Sequence, residues 1–403
     1  MAKIEQRSIS VPPSTSRVAS PAAVKPRLKG IDGLRAFAAL WVVLFHIRAF
    51  SGAHLGIVPG LDLLVRSGST GVSLFLVLSG FCLYLPFAGG RLDRFRVGTF
   101  FARRCRRLLP AYYATLVLLL AAYAVAAGHW GLDPMSSAGL AGQAAAHVGL
   151  VHQLFPSTFY GLNGAYWSLG LEWELYLTLP LIIVAVRRMG LARTVGAVVV
   201  LNVAYRLALW LAVTQGLMGG GTTLATVVLP NLFLGRWAEF ALGMVAADLY
   251  MRGLAGSWGR RLIVPGLLAV PLSFAVTGNP LVHLLFGVIF FTVVCLVAAE
   301  DNLVARVFSW SPLVVVGVMS YSLYLVHQPL IQIGAHLLGK GGRVAPNQVF
   351  VELVLAFPVV LAAAWFVFVT VERRSMAVAS MEGVPGRSLL FPRWLSTRRS
   401  VRP

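Results

Sequence analysis

Arg35 and His46 lie eleven residues apart in the first long apolar segment of the chain, Leu34 to Phe50. Both side chains are costly in hydrocarbon, so a membrane helix that carries both needs a reason to hold them. At roughly 100° and about 1.5 Å per residue, eleven steps return to within about 20° of the same face and cover about 16 Å. One helix face therefore carries a fixed cation near its start and, deeper inside, an imidazole suited to general-base chemistry near neutral pH.

Further ionisable side chains fall inside other apolar segments. Residue counts along these segments place Glu172 at the same depth as His46. Its neighbour Glu174 lies about 200° further around the helix and therefore points to another face. The same counts give middle to outer depth to Arg206, Arg236, Glu239 and His327. Intramembrane charges must be paired or line a wet cavity, which makes these residues functional candidates. The alternative is a buried ion-pair network, for instance between Arg206 and Glu239, that only fixes helix packing.

Two arginines precede the third apolar segment. Arg104 and Arg107 are spaced i and i+3, so a helix would present both guanidinium groups on one side. Two such groups suit a phosphate or pyrophosphate. Anchoring of positive charge at the cytoplasmic surface explains the same residues equally well, and spacing alone does not separate the two interpretations.

The composition of the chain is that of a membrane protein. It has 403 residues, of which 58% are hydrophobic and only 12% charged, whereas soluble domains are about one quarter charged. The net charge of +20 comes from basic residues between apolar segments, which suits anionic lipid headgroups rather than nucleic acid. Cys82, Cys105 and Cys295 are far apart, so the sequence indicates neither a disulfide framework nor a zinc site, and no metal is expected.

The apolar segments predict an all-α polytopic membrane protein with about ten transmembrane helices, since each segment approaches the roughly twenty residues that span a bilayer. These helices are predicted near 31-50, 70-88, 108-127, 167-186, 194-213, 228-250, 262-277, 281-298, 313-337 and 349-371. Residues 1-29 are predicted to be a disordered tail, 30-375 the membrane-embedded domain and 376-403 a basic tail. We also expect a short re-entrant or interfacial helix around 138-152, in a connection that contains His129, His147 and His152.

The distribution of basic residues predicts the orientation of these helices. With the N-terminus inside the cell, 27 of the 34 Lys and Arg residues fall in the tails or the cytoplasmic connections, and four fall in the outer connections. The positive-inside rule then places both termini in the cytoplasm.

Seven motifs, in an order that covers about residues 35 to 375, resemble the acyltransferase-3 family of integral membrane O-acyltransferases. They are the R-x10-H of Arg35 and His46, the block from Phe75 to Phe81, the R-x-x-R-x-x-P of Arg104, Arg107 and Pro110, the block from Trp167 to Glu172, the block from Glu239 to Gly243, the stretch from Ser320 to His327 and the closing pair Glu372 and Arg373. Trp173-Glu174 and Arg373-Arg374 depart from the family pattern, but neither departure touches the proposed centre.

The resemblance implies transfer of an acyl group, commonly acetyl, from an acyl-CoA donor to a hydroxyl group of a sugar-containing acceptor. The family includes enzymes that acylate bacterial surface polysaccharides and peptidoglycan, and others that acylate macrolides. The implied location is the bacterial inner membrane. The implied partners are acyl-CoA, a glycan or glycosylated small-molecule acceptor, and membrane lipids.

The resemblance also implies roles for the donor-side residues and the base. Arg35, Arg104 and Arg107 would hold the nucleotide phosphates at the cytoplasmic mouth, while the pantetheine arm extends toward His46. His46 would act as general base on the acceptor hydroxyl. Glu172 would orient the imidazole or bind the acceptor.

The remaining candidates receive looser roles in the same mechanism. Arg206 or Arg236 would stabilise the oxyanion, because fixed positive charge in a dry site does so effectively. Glu239 would belong to the substrate side of the site. His327 precedes Pro329, whose expected kink favours a place in the cavity wall.

A proton-coupled transporter, or a carrier of acyl groups across the membrane, is the alternative interpretation. Ten helices with charges at middle depth are equally typical of such carriers. No inverted repeat of the kind found in many carriers is evident in the sequence, and a phosphate-bearing donor explains the Arg104 and Arg107 pair better.

Overall fold

The computed structural model of the chain describes residues 28–56, 60–126, 129, 132, 135–218, 222–275, 280–300, 302–339 and 344–381. Within those residues the regular structure is helical and no strand occurs, which confirms the all-α prediction. The predicted tails, 1-29 and 376-403, lie mostly outside the described residues.

The α-helices follow one another along the whole described chain. In order they are α1 (Lys29–Ser51), α2 (Leu61–Arg66), α3 (Gly71–Tyr84), α4 (Val97–Ala126), α5 (Ser137–Val148), α6 (Pro156–Phe159), α7 (Trp167–Met189), α8 (Leu191–Thr214), α9 (Phe233–Met251), α10 (Ala255–Arg261), α11 (Ile263–Ala275), α12 (Val282–Ala298), α13 (Leu303–Phe308), α14 (Ser311–Val318), α15 (Ser320–Gly339), α16 (Pro346–Leu355), α17 (Phe357–Val367) and α18 (Arg373–Met381).

Five of the described helical segments are long and apolar enough to cross a membrane. They are α1, the segment Leu61–Tyr84, the segment Val97–Val125, α7 and α8. Two more spans result if each bent pair is counted as one, namely α14 with α15, bent by 75°, and Pro346–Leu355 with Phe357–Ala377, bent by 44°. The described residues thus support five to seven of the ten predicted spans.

Three further predicted spans correspond to helices that are either too short or too highly charged to be counted as membrane-spanning. The helix α9 contains Arg236, Glu239 and Asp248, while α11 and α12 have 13 and 17 residues. The apolar runs were long enough in the sequence, but three charged side chains interrupt α9, and α11 and α12 each contain fewer than 18 described helical residues. The count of about ten is therefore not confirmed.

The helix α1 lies among several others and carries both residues of the R-x10-H motif. It packs against α3, α14, α15 and α16. Leu34, Ala38 and Val42 are almost fully buried in these contacts. A helix enclosed on several sides holds its side chains in fixed positions, because dense packing leaves little room for rotation.

The helices α3 and α9 approach each other closely at two glycines. A Cβ built on Gly80 would overlap the carbonyl oxygen of Phe240, and one built on Gly243 would overlap the carbonyl oxygen of Val77. Small residues allow the backbones of membrane helices to approach closely. The Phe75 to Phe81 block therefore has a packing function at Gly80.

The helix α4 begins at Val97, about two turns before Arg104. It was predicted near 108-127, so its start lies earlier than expected and both arginines fall within the helix rather than before it. Pro110 lies inside the same helix. A short helix was predicted around 138-152, and α5 begins at Ser137 and ends at Val148.

Candidate active site

A cavity lies between α1, α3, α4, α7 and α15 and occupies about 840 Å³ when the space at its open mouth is included. Four of the predicted site residues line it: Arg35, Arg104, Arg107 and Glu172. Three arginines thus face one carboxylate along the wall. Such a wall attracts an anion, because positive charge in a cavity with low-dielectric walls is weakly screened.

Two polar groups in this wall have no hydrogen-bond partner within the described chain. They are the Nε of Arg104 and the Oγ of Ser320, and Ser320 is only 1% exposed. A buried donor without a partner costs about 1–3 kcal/mol. Both donors belong to residues that line the cavity.

Glu372 supports the arginines from behind the cavity wall. It is 1% exposed, accepts a hydrogen bond from the Ser322 hydroxyl at 2.5 Å, and interacts electrostatically with Arg35 and Arg107. The sequence showed Glu372 as part of a closing motif but gave it no role. In the sequence, the only indication of a role was the position of this acidic residue at the end of an apolar segment. The arginines with which it interacts become evident only from the fold.

Glu172 belongs to the arginine side of the site. It accepts hydrogen bonds from Ser79 at 3.1 Å and from Tyr176 at 2.5 Å, and it interacts electrostatically with Arg104. Residue counting had placed it level with His46. Glu174 turns away, as expected, and accepts hydrogen bonds from Gln153 and from the backbone of Phe233.

His46 is held by a backbone carbonyl and by a second histidine. Its Nδ1 lies 2.9 Å from the Val42 oxygen and 3.3 Å from the Nε2 of His327. A carbonyl oxygen only accepts, so Nδ1 carries the proton and Nε2 has a free lone pair. His327 Nδ1 in turn donates to the Tyr324 oxygen at 2.8 Å, which leaves its Nε2 as an acceptor toward His46. The imidazole is therefore oriented as a base.

Two aromatic rings separate the cavity from this histidine pair. Phe75 and Tyr324 line the cavity, and their ring centroids stand 6.0 Å apart. The Tyr324 ring lies 5.4 Å from that of His327, which lies 5.0 Å from that of His46. The three arginines and Glu172 thus form one group, and His46 and His327 form another. The rings of Phe75 and Tyr324 lie between the two groups.

The other three candidates lie in a buried network around α9. Arg236 pairs with Glu239 at 2.8 Å and donates to Ser73 at 3.0 Å, while its Nη1 lies 2.8 Å from His283. These contacts join α9 to α3 and α12. Arg236 and Glu239 do not line the cavity described above, and the ion pair is theirs rather than one between Arg206 and Glu239.

Arg206 binds backbone rather than carboxylate. Its guanidinium donates to the carbonyl oxygens of Pro280, Pro230 and Gly235, the last at 2.9 Å. Carbonyl groups left free at helix ends need such partners in a membrane. The contacts of Arg206 therefore favour helix packing over a role at the oxyanion.

A second histidine pair lies in the connection between α4 and α7. The rings of His147 and His152 stack 4.2 Å apart and are 0% exposed. Burial lowers the pKa of His147 to about 3, with a smaller contribution from His152, and burial lowers the pKa of His152 to about 4. Each donates one ring N–H to a carbonyl oxygen, of Gln143 and Tyr166 respectively, and both are neutral at neutral pH.

Acidification is expected to loosen this connection. Below about pH 6.5 the unfolded segment binds protons while the folded one does not, so stability falls until about pH 4. At pH 5 the loss is roughly 2 kcal/mol per histidine, at about 1.36 kcal/mol per pH unit. Hydrogen exchange, corrected for the intrinsic pH dependence, should show lower protection of residues 137–166 at pH 5 than at pH 7. Peptides from α8, which contains no histidine, serve as the control, and equal protection at both pH values would contradict the prediction.

No group of three or more His, Cys, Asp or Glu side chains that could hold a metal ion occurs within the part of the chain that the structure describes. The cavity contains guanidinium, hydroxyl and phenol groups instead, and these bind anions and neutral polar groups.

Comparison with known proteins identifies the family of the chain and several relatives. The profile described as an acyltransferase domain matches residues 28–369. The acyltransferase MdmB of Streptomyces mycarofaciens is 28% identical over 343 residues, which cover 78% of this chain and 81% of that protein. The O-acetyltransferase OatA of Staphylococcus aureus is 24% identical over 339 residues, or 75% of this chain and 50% of that protein.

The peptidoglycan O-acetyltransferase OatA of Listeria monocytogenes is 25% identical over 332 residues, which cover 76% of this chain and 50% of that protein. The chain thus spans about half the length of either OatA protein. No solved structure matches the chain.

Proposed function

The chain belongs to the acyltransferase-3 family, and we propose that it transfers an acyl group from a coenzyme A thioester to a hydroxyl group of a sugar-containing acceptor. Acetyl is the acyl group we expect. The observation that carries this proposal is the cavity in which three arginines face one carboxylate, next to a histidine oriented as a base.

The donor would bind by its phosphates. Arg35, Arg104 and Arg107 offer several N–H groups to phosphate oxygens, and Arg104 Nε still lacks a partner. From there the pantetheine arm would run along α1 toward His46, about 16 Å away by helix geometry. The rings of Phe75 and Tyr324 must part for the thioester to meet the imidazole.

The chemistry would then be acid–base catalysis by one residue. The Nε2 of His46 accepts the proton of the acceptor hydroxyl as its oxygen attacks the thioester carbon. The tetrahedral intermediate expels the coenzyme A sulfur, which receives the proton back from His46. His327 stabilises the charged imidazole through its Nε2, which faces the His46 Nδ1–H, and is thus a positioning residue.

The remaining candidates take other roles in this proposal. Glu172 and Glu372 balance the arginines and hold them in place when the donor is absent. Arg206, Arg236 and Glu239 stabilise helix packing, which their contacts support, and we assign none of them to the oxyanion. The proposed location is the bacterial inner membrane, with about ten spans and both termini in the cytoplasm, as the distribution of basic residues favours.

The acceptor class rests on the relatives. The Listeria protein is named for peptidoglycan, and the family resemblance adds surface polysaccharides and macrolides. These acceptors share hydroxyl groups on sugars. We therefore propose a glycan or a glycosylated small molecule as the acceptor.

Release of free thiol tests the proposal directly. The full-length protein in lipid nanodiscs, given acetyl-CoA and a panel of glycosylated acceptors, should release coenzyme A faster with a productive acceptor than without one. Mass spectrometry should find the acceptor heavier by one acetyl group. A protein that binds no coenzyme A and releases no thiol with any acceptor would contradict the proposal and favour the transporter interpretation.

A further inference from the structure

A second cavity of about 700 Å³ adjoins the first one near the start of α4. Cys82, Leu83 and Arg104 line both cavities, so the two are neighbouring compartments that meet at these residues. The wall of the second cavity adds three arginines that the sequence analysis did not assign: Arg94, Arg96 and Arg103.

The guanidinium groups of these three arginines have few hydrogen-bond partners within the described chain. The guanidinium groups of Arg94 and Arg103 make no hydrogen bond or ion pair with the described residues. Arg96 donates through Nη1 to two backbone carbonyls, those of Asp93 at 2.6 Å and Phe95 at 3.4 Å. No carboxylate lines this cavity among the described residues. Four guanidinium groups, counting that of Arg104, therefore surround one concave space whose described wall contains no carboxylate.

The remaining wall is apolar and firmly packed. Phe87 and Phe100 are 9% and 6% exposed, and both rings pack against Phe95 with centroids 5.1 and 5.6 Å away. Flat aromatic edges beside guanidinium groups suit a heterocyclic base attached to phosphate. A compact site of this kind differs from scattered basic residues that only touch lipid headgroups.

Coenzyme A carries two separate anionic groups. One is the pyrophosphate that joins the nucleoside to the pantetheine arm, and the other is a phosphate monoester on the ribose. We propose, in an extension that rests on the proposed function, that the second cavity binds this ribose phosphate while Arg35 and Arg107 in the first cavity hold the pyrophosphate. Arg104 lies between the two groups because it lines both compartments.

The inference predicts discrimination between coenzyme A and its dephospho form, which lacks only the ribose phosphate. Binding of both compounds to the full-length protein is measured in nanodiscs of zwitterionic lipid. The wild type should bind coenzyme A at least about tenfold more tightly, as expected when two or more charge-assisted hydrogen bonds are lost. The double variant Arg94→Gln/Arg103→Gln should lose this preference and keep the wild-type affinity for dephospho-CoA.

The matched control is the double variant Arg188→Gln/Arg193→Gln, which removes the same charge from exposed positions outside both cavities. It should bind both compounds as the wild type does. Equal wild-type affinity for the two compounds would overturn the inference and leave the proposed function intact. Failure to bind either compound would overturn both. An effect of Arg94→Gln/Arg103→Gln seen only in nanodiscs of anionic lipid would assign the arginines to lipid headgroups and also overturn the inference.

Cys82 provides an independent readout, because its thiol is exposed where the two cavities meet. A donor that occupies both compartments must pass this thiol. In a Cys105→Ser background, where Cys295 is buried, bound acetyl-CoA, whose sulfur is acylated and does not consume maleimide, should slow maleimide labelling of Cys82 several-fold. Acetyl-dephospho-CoA should do the same only at higher concentration. Saturating acetyl-CoA that leaves the labelling rate unchanged would contradict a donor that spans both cavities.

Discussion

Replacing His46 with asparagine should lower kcat for acyl transfer by about 10²- to 10⁴-fold, the usual contribution of a general base. The asparagine amide can still donate to the Val42 oxygen, as Nδ1 of the imidazole does at 2.9 Å. It has no lone pair equivalent to Nε2, so the helix keeps its contact while the proton acceptor is lost. The donor KM should stay within about threefold, because the arginines bind before the base acts.

Two matched variants make this result specific. His54 is exposed, and only its backbone N–H hydrogen-bonds another residue, so His54→Ala should transfer acetyl at the wild-type rate. His327→Gln should reduce kcat by a smaller factor than His46→Asn, since it removes support rather than the base. Retention of activity within about tenfold in His46→Asn would exclude His46 as the base.

Replacing Gly80 with alanine should destabilise the protein by about 3 kcal/mol or more, the upper range for overpacked positions. The added Cβ would overlap the carbonyl oxygen of Phe240, which belongs to the backbone and cannot rotate away. The helices α3 and α9 would have to separate. The apparent Tm should fall by roughly 6–12 °C, at about 2–4 °C per kcal/mol.

Gly196 supplies the control for this substitution. It lies in α8, and a Cβ built on it meets no atom within 4 Å. Gly196→Ala should therefore leave the apparent Tm unchanged or raise it slightly, because alanine favours the helix. Thermal unfolding followed by size-exclusion chromatography compares both variants with the wild type. Similar melting of Gly80→Ala and the wild type would contradict the close approach of α3 and α9.

The sequence predicted those parts of the site that depend on one helix or one short motif. The spacing of Arg35 and His46 and that of Arg104 and Arg107 are properties of local helix geometry, and α1 and α4 carry them as expected. Residue counting predicted a depth for Glu172 but not its partners, because depth along a helix does not say which neighbour a side chain meets. Its hydrogen bonds lead to Ser79 and Tyr176 instead.

The contacts that connect distant segments could not be predicted. His327 reaches His46 across 281 residues, and Glu372 acts on Arg35 and Arg107 from the far end of the domain. Such pairs depend on how helices cross, and one sequence contains no direct signal for that. Hydropathy likewise does not show where a helix bends, as between α14 and α15, which lie at an angle of 75° within one predicted span.

Because α1 is continuous, it fixes the distance that the donor must span between the arginine and the imidazole. Arg35 and His46 belong to one unbroken helix, so their separation is set by the backbone and does not change when neighbouring helices move. This fixed distance would select donors by the length of the arm between the phosphates and the thioester, and not by the length of the acyl chain.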